Sequence, residues 1–579
     1  MKLRNYQKEA EESTFQSWKS GSMTTLGVMP TGCGKTLVFS SVIRRMFPKR
    51  SLVIAHRQEL IWQARDKIKK VTGLTVDIEM GEFKSVENGL FKRKASVIVS
   101  TVQTMIAGGD GAGRIGKFDP SEFGLLVIDE AHHATSPSYR KVINYFMSNP
   151  KLVVLGVTAT PDRGDEEALG QVFETVAFDY EILDAIRDGW LIPIEQQMVS
   201  VDKLDFSSVR TVAGDLNGAD LAAVMESEKN LHEVASSTID IVGDRRGLGF
   251  ASSVNHARIM SEIFNRHKAG MSSWVSAGTD KDERKKIVND FANGKIQWLW
   301  NCGVFTEGFD DSGVEVISMA RPTKSRALYA QMAGRATRPH ESIAHSLNSF
   351  SNPMLRRMLI ERSCKPSCLI IDFVGNSGKH KLVSTADILN GNVSDEAIAT
   401  VTERAVKHGR PMRMDVELAI EEERVEATKK RKLEELARKE RLVGKATYSK
   451  QSIDPFDILA IKPVKTRGWD QGKELSFKQR ELLKKSGFNP DNLEYGRARQ
   501  LVTILIDRWT NKKCTLGQAK VLKKFDCDVN MSFEQASKTI DAIAKNNWKK
   551  PEHFEAPPQP NIAAISPPQR VTEDDNIPF

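Results

Sequence analysis

Residues 23–36 read MTTLGVMPTGCGKT, an order of residue types that suits the binding of nucleotide phosphates. An apolar run leads into a turn with two glycines, and helical spacing follows, so we expect a strand, a loop and a helix. Backbone N–H groups around Gly32 and Gly34 can surround phosphate oxygens, Lys35 can reach the β- and γ-phosphates, and Thr36 can hold Mg²⁺. The strict pattern has glycine where this chain has Met29. The residues predicted to bind ATP or GTP are Thr31, Gly32, Cys33, Gly34, Lys35 and Thr36.

Two acids follow a second apolar run. Residues 123–134 read FGLLVIDEAHHA, and their four central apolar residues predict a strand buried on both faces. Asp129 and Glu130 come where this strand ends, which is the edge at which open α/β sheets bind ligands. We therefore predict that Asp129 holds Mg²⁺ and that Glu130 orients or deprotonates an attacking water. Together with the phosphate-binding turn, this pattern indicates hydrolysis of a nucleoside triphosphate.

Length and composition restrict the elements that can position these residues. A chain of 579 residues is expected to fold as three or four domains, and its 40% hydrophobic content supports real cores. No apolar run reaches the roughly 18 residues that cross a bilayer, and the charged N-terminus MKLRNYQKEAEEST does not read as a secretory signal. Six scattered cysteines favour a reducing compartment. We expect a cytoplasmic protein without a membrane contact, in the host cytoplasm if a phage encodes it.

PTGCGKT at 30–36 together with DEAH at 129–132 resembles the superfamily 2 helicases. Further stretches agree in order and spacing. LRNYQ at 3–7 resembles the segment that reads adenine, and Gln7 would make the paired hydrogen bonds. The segments AHRQEL at 55–60 and STVQTM at 100–105 resemble strand-contacting motifs, and TATP at 158–161 resembles the motif that couples hydrolysis to domain movement. The second half follows with GFASSVNHA at 249–257, NCGVFTEGFD at 301–310 and YAQMAGRATR at 329–338.

The resemblance covers residues 1 to about 376, and it implies an α/β fold with two RecA-like parallel-sheet domains in tandem, at 1–195 and 196–376. ATP and Mg²⁺ would bind between the domains, and a nucleic-acid strand would cross both. Arg335 and Arg338, at positions i and i+3 of one helix face, would act as arginine fingers, with Gln331 near the γ-phosphate or the water. The residues implied to contact the strand backbone are Arg57, Thr101 and Thr306.

Within the superfamily the chain looks most similar to bacterial RadD and to phage-type DNA helicases. YEILDAIRDGWLIPI at 180–194 and CLIIDFVGN at 368–376 carry this likeness. RadD-like proteins continue with a cysteine-rich zinc segment that this sequence does not have. Functions tied to that segment are therefore not expected here.

A mainly helical C-terminal region is predicted beyond the two domains. Residues 377–460 form a charged helical linker, in which the Glu-, Lys- and Arg-rich stretch 413–443 predicts a long exposed helix that acts as a spacer. Coiled-coil dimerisation is the alternative, although no regular heptad is sustained. Residues 461–550 form a basic domain, because residues 462–550 contain 20 Lys and Arg against 10 Asp and Glu.

This basic domain contains an internal repeat, in which residues 475–509 resemble residues 514–548. Each copy reads as two short helices around a turn, and the two copies would share one small core. The lysines suit nucleic-acid phosphates. Trp469, Phe488 and Trp509 are candidates either for stacking on bases or for core packing. A protein-docking module is the alternative function.

The last residues, VTEDDNIPF, follow a Pro-rich stretch within a linker that we place at 551–579 and expect to be disordered. They are similar to the acidic tip of bacterial single-stranded DNA-binding protein, which implies docking to proteins that bind that tip. The residues involved would be Asp574, Asp575, Ile577, Pro578 and Phe579. The tip would either recruit such partners or fold back on the chain's own basic repeats, and an ordinary acidic terminus is the plain alternative.

Together these patterns predict an ATP-dependent DNA helicase or translocase in replication, recombination or repair, with single-stranded or forked DNA as its partner. An RNA helicase is one alternative, because backbone contacts do not read sequence. A recruitment platform that ATP switches and that docks partners through its tail is another.

Overall fold

The computed structural model describes residues 3–56, 58–85, 94–108, 113–159, 168–212, 214–305, 309, 311–377, 380–389, 393–442, 468–470, 472–525 and 527–546. The chain divides into two compact units. The first comprises residues 1–446 and 467–472, and the second comprises residues 447–466 and 473–579. Among the described residues, no helix has the length and apolar character that crossing a bilayer requires.

The first sheet has seven strands in the order β3-β4-β2-β5-β6-β1-β7, and every neighbouring pair is parallel. Its central strands are buried on both faces, which accounts for their continuous apolar runs. The strands are β1 Thr24–Val28, β2 Arg50–Ala55, β3 Val76–Glu79, β4 Val97–Thr101, β5 Phe123–Asp129, β6 Val153–Thr158 and β7 Thr175–Asp179. The helices of this domain are α1 Asn5–Lys19, α2 Lys35–Met46, α3 Gln58–Thr72, α4 Val102–Ile106, α5 Pro137–Phe146 and α6 Ile182–Arg187.

The second sheet also has seven strands, in the order β12-β13-β11-β14-β15-β8-β16. All neighbours are parallel except β16, which runs antiparallel to β8. The strands are β8 Ile194–Asp205, β11 Gly247–Phe250, β12 Ser272–Ser276, β13 Trp298–Cys302, β14 Val316–Met319, β15 Cys368–Asn376 and β16 Met412–Arg413, and β9 Thr211–Val212 pairs separately with β10 Asp215–Leu216. The predicted α/β fold with two parallel-sheet domains in tandem is therefore confirmed.

Helices cover the second sheet and continue past its last parallel strand. They are α7 Gly218–Met225, α8 Glu228–Val242, α9 Val254–His267, α10 Lys281–Ala292, α11 Arg326–Ala333, α12 Glu341–Ala344, α13 Pro353–Glu361, α14 Thr385–Ile388, α15 Asp395–His408 and α16 Met414–Leu442. The long charged helix predicted at 413–443 is thus present as α16.

The beginning of α16 is not a free spacer. Met414 and Leu418 are buried in the same core as Ile398 and Val401 of α15, and β16 adds a strand to the second sheet. Arg404 joins α15 to α16 through ion pairs of 2.8 Å and 2.9 Å to two glutamates of α16. The first turns of the charged segment therefore belong to the second domain, because their apolar residues face its core.

The C-terminal unit consists of two pairs of short helices, as the repeat predicts. These helices are α17 Phe477–Lys485, α18 Tyr495–Thr510, α19 Leu516–Lys524 and α20 Phe533–Lys545. Three of them, α17, α19 and α20, begin with a Ser or Thr whose hydroxyl receives the N–H of a Gln three residues on, while the Gln side chain bonds back. The expected single shared core is wrong: one cluster centres on Leu483 and Leu501, and a separate one on Ala519 and Leu522.

The three aromatic residues proposed for stacking have different environments. Trp469 is buried in the first domain, in a cluster with Leu169 and Phe173, so it is a core residue of that domain and does not belong to the repeats. Phe488 is partly buried against the first helix pair. Trp509 is exposed.

Candidate active site

The strand order brings the predicted chemical residues to one edge of the first sheet. β6 lies between β1 and β5, and all three strands run in the same direction. The phosphate-binding turn follows β1, Asp129 ends β5, and Thr158 ends β6. Since the carboxyl ends of parallel strands meet at the same edge, residues far apart in sequence form one site.

The phosphate-binding turn has the backbone shape that a bound anion needs. Gly32 and Gly34 have φ angles of +88° and +82°, which side-chain-bearing residues rarely adopt. α2 begins immediately afterwards at Lys35, so the free N–H groups of its first turn point towards a phosphate position. Met29 donates its N–H to Thr158 O at 2.9 Å and is buried, so the position of the missing glycine is an anchor in the core.

Lys35 and Glu130 meet directly. Their Nζ and Oε1 atoms are 3.0 Å apart, and both side chains are almost fully buried. Burial acts to raise the pKa of Glu130, but the Lys35 ammonium and the His132 ring outweigh burial and hold that pKa well below its usual range. Glu130 also has a φ of +50°, a strained conformation that is typical of functional sites. Glu130 is therefore an anion held ready at the predicted position of the γ-phosphate.

Two histidines of the same turn extend this site, and sequence reasoning assigned them no role. His132 Nδ1 lies 3.5 Å from Glu130 Oε2 and 3.2 Å from Thr158 Oγ1. His133 stacks on His56 with ring centroids 4.3 Å apart. The DEAH motif could have indicated a role for His132, because this histidine contacts both Glu130 of the acidic motif and Thr158 of the predicted coupling motif.

Gln7 lies against the phosphate-binding turn. It is buried, its Nε2 donates to Cys33 O at 2.9 Å, and its Oε1 accepts the Arg4 N–H at 2.9 Å. Tyr6 donates its hydroxyl to the same Cys33 carbonyl at 2.9 Å. Gln7 Nε2 also donates to the Tyr6 hydroxyl at 3.5 Å, so pairing with an adenine edge would exchange this long contact for the base. Burial raises the pKa of the Cys33 thiol to about 12, so it is not a nucleophile.

The second domain supplies the opposite wall. A Cβ atom on Gly32 would lie 3.3 Å from Arg338 Cγ, and one on Gly334 would lie 3.0 Å from Thr31 Cβ. The turn that carries both predicted arginines therefore touches the phosphate-binding turn. Burial lowers the pKa of the Arg338 guanidinium, although arginine remains charged at such a site.

The two arginines do not share a helix face, so that prediction is wrong. α11 ends at Ala333, and the chain continues as a turn. Arg335 Nη1 donates to Phe309 O at 2.6 Å, while Lys365 holds the Arg338 carbonyl at 2.9 Å. Sequence reasoning missed Lys365, because nothing in its local pattern marks a buried lysine. Gln331 lies buried on α11.

The predicted strand contacts are only partly within the described structure. Arg57 and Thr306 lie outside the described residues, as do the tail residues Asp574, Asp575, Ile577, Pro578 and Phe579. Thr101 is buried, and its hydroxyl accepts the Thr104 N–H at 3.2 Å as the cap of α4. A cavity of about 910 Å³ lies between α3 of the first domain and the second domain, with Leu60, Gln63, Arg284, Phe305 and His340 in its lining.

The available oxygen ligands fit Mg²⁺. Thr36 offers a hydroxyl at the start of α2, and Asp129 offers a carboxylate at the end of β5. Within the described part of the chain, no group of three or more His, Cys, Asp and Glu side chains is placed to hold a metal. Mg²⁺ usually takes one or two protein oxygens together with substrate phosphates and waters, so two protein ligands are sufficient.

Comparisons with known proteins agree with this geometry. Residues 1–163 match the family model of the type III restriction enzyme res subunit, and residues 231–340 match the helicase conserved C-terminal domain. The chain is 32% identical to the putative ATP-dependent helicase IRC3 of Saccharomyces cerevisiae, over 68% of this chain and 54% of that protein. It is 28% identical to the putative mitochondrial ATP-dependent helicase irc3 of Schizosaccharomyces pombe, over 64% and 57%. It is 26% identical to the DNA 3'-5' helicase XPB of Kineococcus radiotolerans, over 58% and 57%.

The chain spans little more than half the length of these relatives. One family model matches most of the first parallel-sheet domain and the other matches the middle of the second. The phosphate-binding turn and the acidic motif lie inside the first match, and the arginine turn lies inside the second. From the paired domains, the site between them and these two matches, we conclude that both parallel-sheet domains of the chain are similar to those of superfamily 2 helicases.

Proposed function

We propose that this protein is an ATP-dependent DNA helicase or translocase of the DEAH-box type, acting in replication, recombination or repair. The observation that carries the proposal is the cleft in which Lys35 and Glu130 of one domain face Arg338 of the other. Hydrolysis needs a phosphate-binding cation, a base near the water and a donor for the developing charge. The cleft supplies all three from two domains, so hydrolysis and domain movement are naturally linked.

The mechanism begins with an exchange of partners at Lys35. ATP phosphates would compete with the Glu130 carboxylate for the lysine, and binding would release that carboxylate towards the attacking water. Mg²⁺, held by Thr36 and Asp129, would neutralise charge on the β- and γ-phosphates. Arg335 and Arg338 would stabilise the transferring phosphoryl group, and Gln331 would orient near it. Loss of the γ-phosphate would remove the ligand that both walls share, which favours opening of the cleft.

DNA is the proposed substrate. One relative bears the name DNA 3'-5' helicase, and the C-terminal repeats carry an excess of basic residues that suits a polyanion. RNA remains the alternative, since a motor that holds the sugar–phosphate backbone does not select bases. Cytoplasmic location is part of this proposal.

The acidic tail is a second element of the proposal. Its sequence EDDNIPF would dock on proteins that recognise the tip of single-stranded DNA-binding protein, with the acids on a basic rim and Phe579 in an apolar pocket. Deleting residues 571–579 tests this part alone. Loss of a partner complex with unchanged ATP hydrolysis supports docking, whereas a rise in basal hydrolysis supports inhibition within the chain.

The test of the motor is ATP hydrolysis by the purified full chain. Rates are compared without nucleic acid and with single-stranded DNA, duplex DNA, forked DNA or RNA, with Lys35→Ala as the blank. Stimulation by DNA and little by RNA is the expected result. Equal stimulation by RNA would favour an RNA motor, and hydrolysis that persists in Lys35→Ala would remove the proposed site from the reaction.

A further inference from the structure

The C-terminal unit exposes large apolar side chains at the junction of its two helix pairs. Trp509, in the last turn of α18, is 73% exposed, and Phe533, the first residue of α20, is 50% exposed. Ile506 is also exposed and precedes Trp509 by three residues, so both lie on one face of α18. Neither small core of the unit includes these side chains. An exposed tryptophan beside an exposed phenylalanine has no packing role and points to a binding surface.

Backbone hydrogen bonds link the chain segments that carry Trp509 and Phe533. The Lys512 N–H donates to Trp509 O at 3.2 Å, and the Phe533 N–H donates to Lys512 O at 2.9 Å. Lys513 and Ser532 form a β-bridge beside them. Lys512 itself has a φ of +50°, the conformation that turns the chain sharply after α18. The last turn of α18 and the first residue of α20 are therefore neighbours along the backbone, and we name the residues of this region the junction patch: Ile506, Trp509, Lys512, Lys513 and Phe533.

The charge around the junction patch is positive. Residues 473–546 contain 15 Lys and Arg against 9 Asp and Glu. Lys513 forms an ion pair with Asp507, with 2.9 Å between Lys513 Nζ and Asp507 Oδ2. Among the described residues, no carboxylate oxygen lies within ion-pair distance of the Lys512 ammonium, which follows directly after the Trp509 turn. The patch therefore combines aromatic faces with at least one cation available to an anion.

We propose that the junction patch binds a single strand of nucleic acid, with bases stacked on Trp509 and Phe533 and with Lys512 on the backbone phosphates. Flat exposed rings beside lysines are the chemistry by which proteins hold unpaired strands, because every base has a face that can stack. Duplex nucleic acid hides its base faces, so it would gain only the phosphate contacts. This contact is additional to the strand path expected across the two parallel-sheet domains.

Such a contact has a consequence for the motor. None of the patch residues belongs to the ATP cleft, so binding of a strand at the junction patch would not require ATP. A second binding site in the same chain raises the effective concentration of the strand near the motor. The patch would thus keep the protein on its strand while the cleft opens.

An acidic peptide with an apolar tip is the rival occupant. The chain's own residues 571–579 have that composition. One feature favours the strand: two aromatic side chains, Trp509 and Phe533, are exposed here, whereas an acidic peptide with a single apolar tip needs one apolar pocket. A peptide occupant makes a different prediction, because it would not distinguish nucleic acid with bases from nucleic acid without them.

The experiment measures binding of the full chain without ATP, by fluorescence anisotropy, to a labelled single-stranded oligonucleotide and to an abasic strand of equal length. DNA and RNA versions are both used. The Trp509→Ala/Phe533→Ala double variant should bind the base-containing strand about 5- to 100-fold more weakly and the abasic strand nearly as well as the unaltered chain does. Trp509→Phe should restore most of the affinity, since it keeps an aromatic face.

Phe477→Ala is the matched control, because Phe477 is another highly exposed aromatic residue at a helix start in the same unit. Thermal unfolding of each variant checks the fold. Unchanged affinity in the double variant, an equal loss on the abasic strand, or an equal loss in Phe477→Ala would overturn the proposal. If the double variant instead lost affinity for a peptide of residues 571–579 and kept its affinity for the strand, the junction patch would be a peptide site. This binding assay contains no ATP, so a negative result would reject the junction patch as a strand-binding site without bearing on ATP hydrolysis. The hydrolysis assay tests the proposed motor separately.

Discussion

Lys35 and Glu130 form a buried ion pair, with 3.0 Å between Nζ and Oε1, across two strand ends that are 95 residues apart in the chain. The pair satisfies two charges that would otherwise be costly to bury. A bound triphosphate would compete with the Glu130 carboxylate for the Lys35 ammonium, because only one contact, to Oε1, joins the two groups.

Glu130→Gln should separate binding from hydrolysis. The substitution removes the base and leaves the Lys35 charge without its anion, so phosphate becomes the preferred partner of the lysine. We expect turnover to fall by about 100- to 10,000-fold, the range typical of a lost general base. The rise in melting temperature on adding ATP and Mg²⁺ should be at least as large as in the unaltered chain. Steady-state hydrolysis and thermal shift measure the two effects.

A matched control for this substitution is Glu122→Gln. Glu122 also pairs with cations, Arg50 at 2.7 Å and Lys94 at 2.5 Å, but it lies outside the cleft. Its loss should leave turnover within about twofold, because Glu122 contacts neither the phosphate-binding turn nor Glu130. Turnover that survives in Glu130→Gln would show that another group activates the water.

Arg338→Ala should slow hydrolysis with little loss of ATP binding. Arg338 lies against Gly32 of the phosphate-binding turn, so its guanidinium can contact the charge that develops during phosphoryl transfer. Arginines with this role are worth about 1,000- to 100,000-fold in turnover. Arg338→Lys should not restore the rate, because a lysine cannot offer the planar pair of donors. Arg357→Ala, on an exposed residue of α13, is the control.

The sequence predicted the first domain well because its motifs sit at strand ends. Apolar runs such as 125–128 indicate buried parallel strands, and the chemistry-bearing residues follow them directly, as Asp129 follows β5. Parallel pairing then places those ends together without any further information. The position of the glycine-rich turn and of Glu130 at one sheet edge was therefore readable from spacing, while their roles in binding phosphate and activating water stay predictions.

Contacts between distant segments were not readable. Whether Arg335 and Arg338 continue α11 depends on where Phe309, Lys365 and Thr31 pack against their turn, and none of these lies nearby in sequence. Charged composition hid the buried face of α16, because the buried Met414 and Leu418 are not distinguished from the other apolar residues scattered through a stretch rich in Glu and Lys. Sequence reasoning assigned Trp469 to the wrong domain because its packing partners lie about 300 residues upstream.

Asp372 should make the stability of the chain fall as the pH rises from about 4 to about 6. This carboxyl is buried and accepts hydrogen bonds from Tyr329 Oη at 2.6 Å and Gln196 Nε2 at 2.5 Å, with the Asp387 carboxylate nearby. Burial raises its pKa to about 6, against the bonds from Tyr329 and Gln196, which act to lower it. The folded state therefore binds the proton more tightly than the unfolded state does.

The sign follows from that difference. Below pH 4 the group is protonated in both states and contributes nothing to the pH dependence, whereas above pH 6 folding must keep a buried anion, at a cost of up to about 3 kcal/mol. Asp372→Asn removes the titration, so its melting temperature should vary less than that of the unaltered chain between pH 4 and 6. Asp395→Asn, on the neighbouring α15, is the comparison. An unchanged slope in Asp372→Asn would assign the pH dependence to another group.

Substitutions at Gly170 and Trp469 should have coupled effects on the free energy of unfolding. A Cβ atom at position 170 would lie 2.6 Å from the carbonyl oxygen of Trp469, and the Trp469 side chain is buried beside Leu169 and Phe173. Gly170→Ala should therefore displace residues 468–470 and lower the free energy of unfolding by about 1–3 kcal/mol. Trp469→Ala should cost about 3–5 kcal/mol, the usual range for removing a large buried aromatic residue.

The double variant distinguishes a shared contact from two separate defects. If Gly170→Ala acts by displacing Trp469, then combining it with Trp469→Ala should add much less than the sum of the two single losses, because the contact is already gone. Unfolding free energies from denaturant titration measure the three losses, and protease cleavage near residue 469 should rise in every variant. If the decreases in unfolding free energy of the two single variants simply add, Gly170 is required for a reason unrelated to Trp469. The Trp469 side chain alone would then hold residues 468–470 in the first domain.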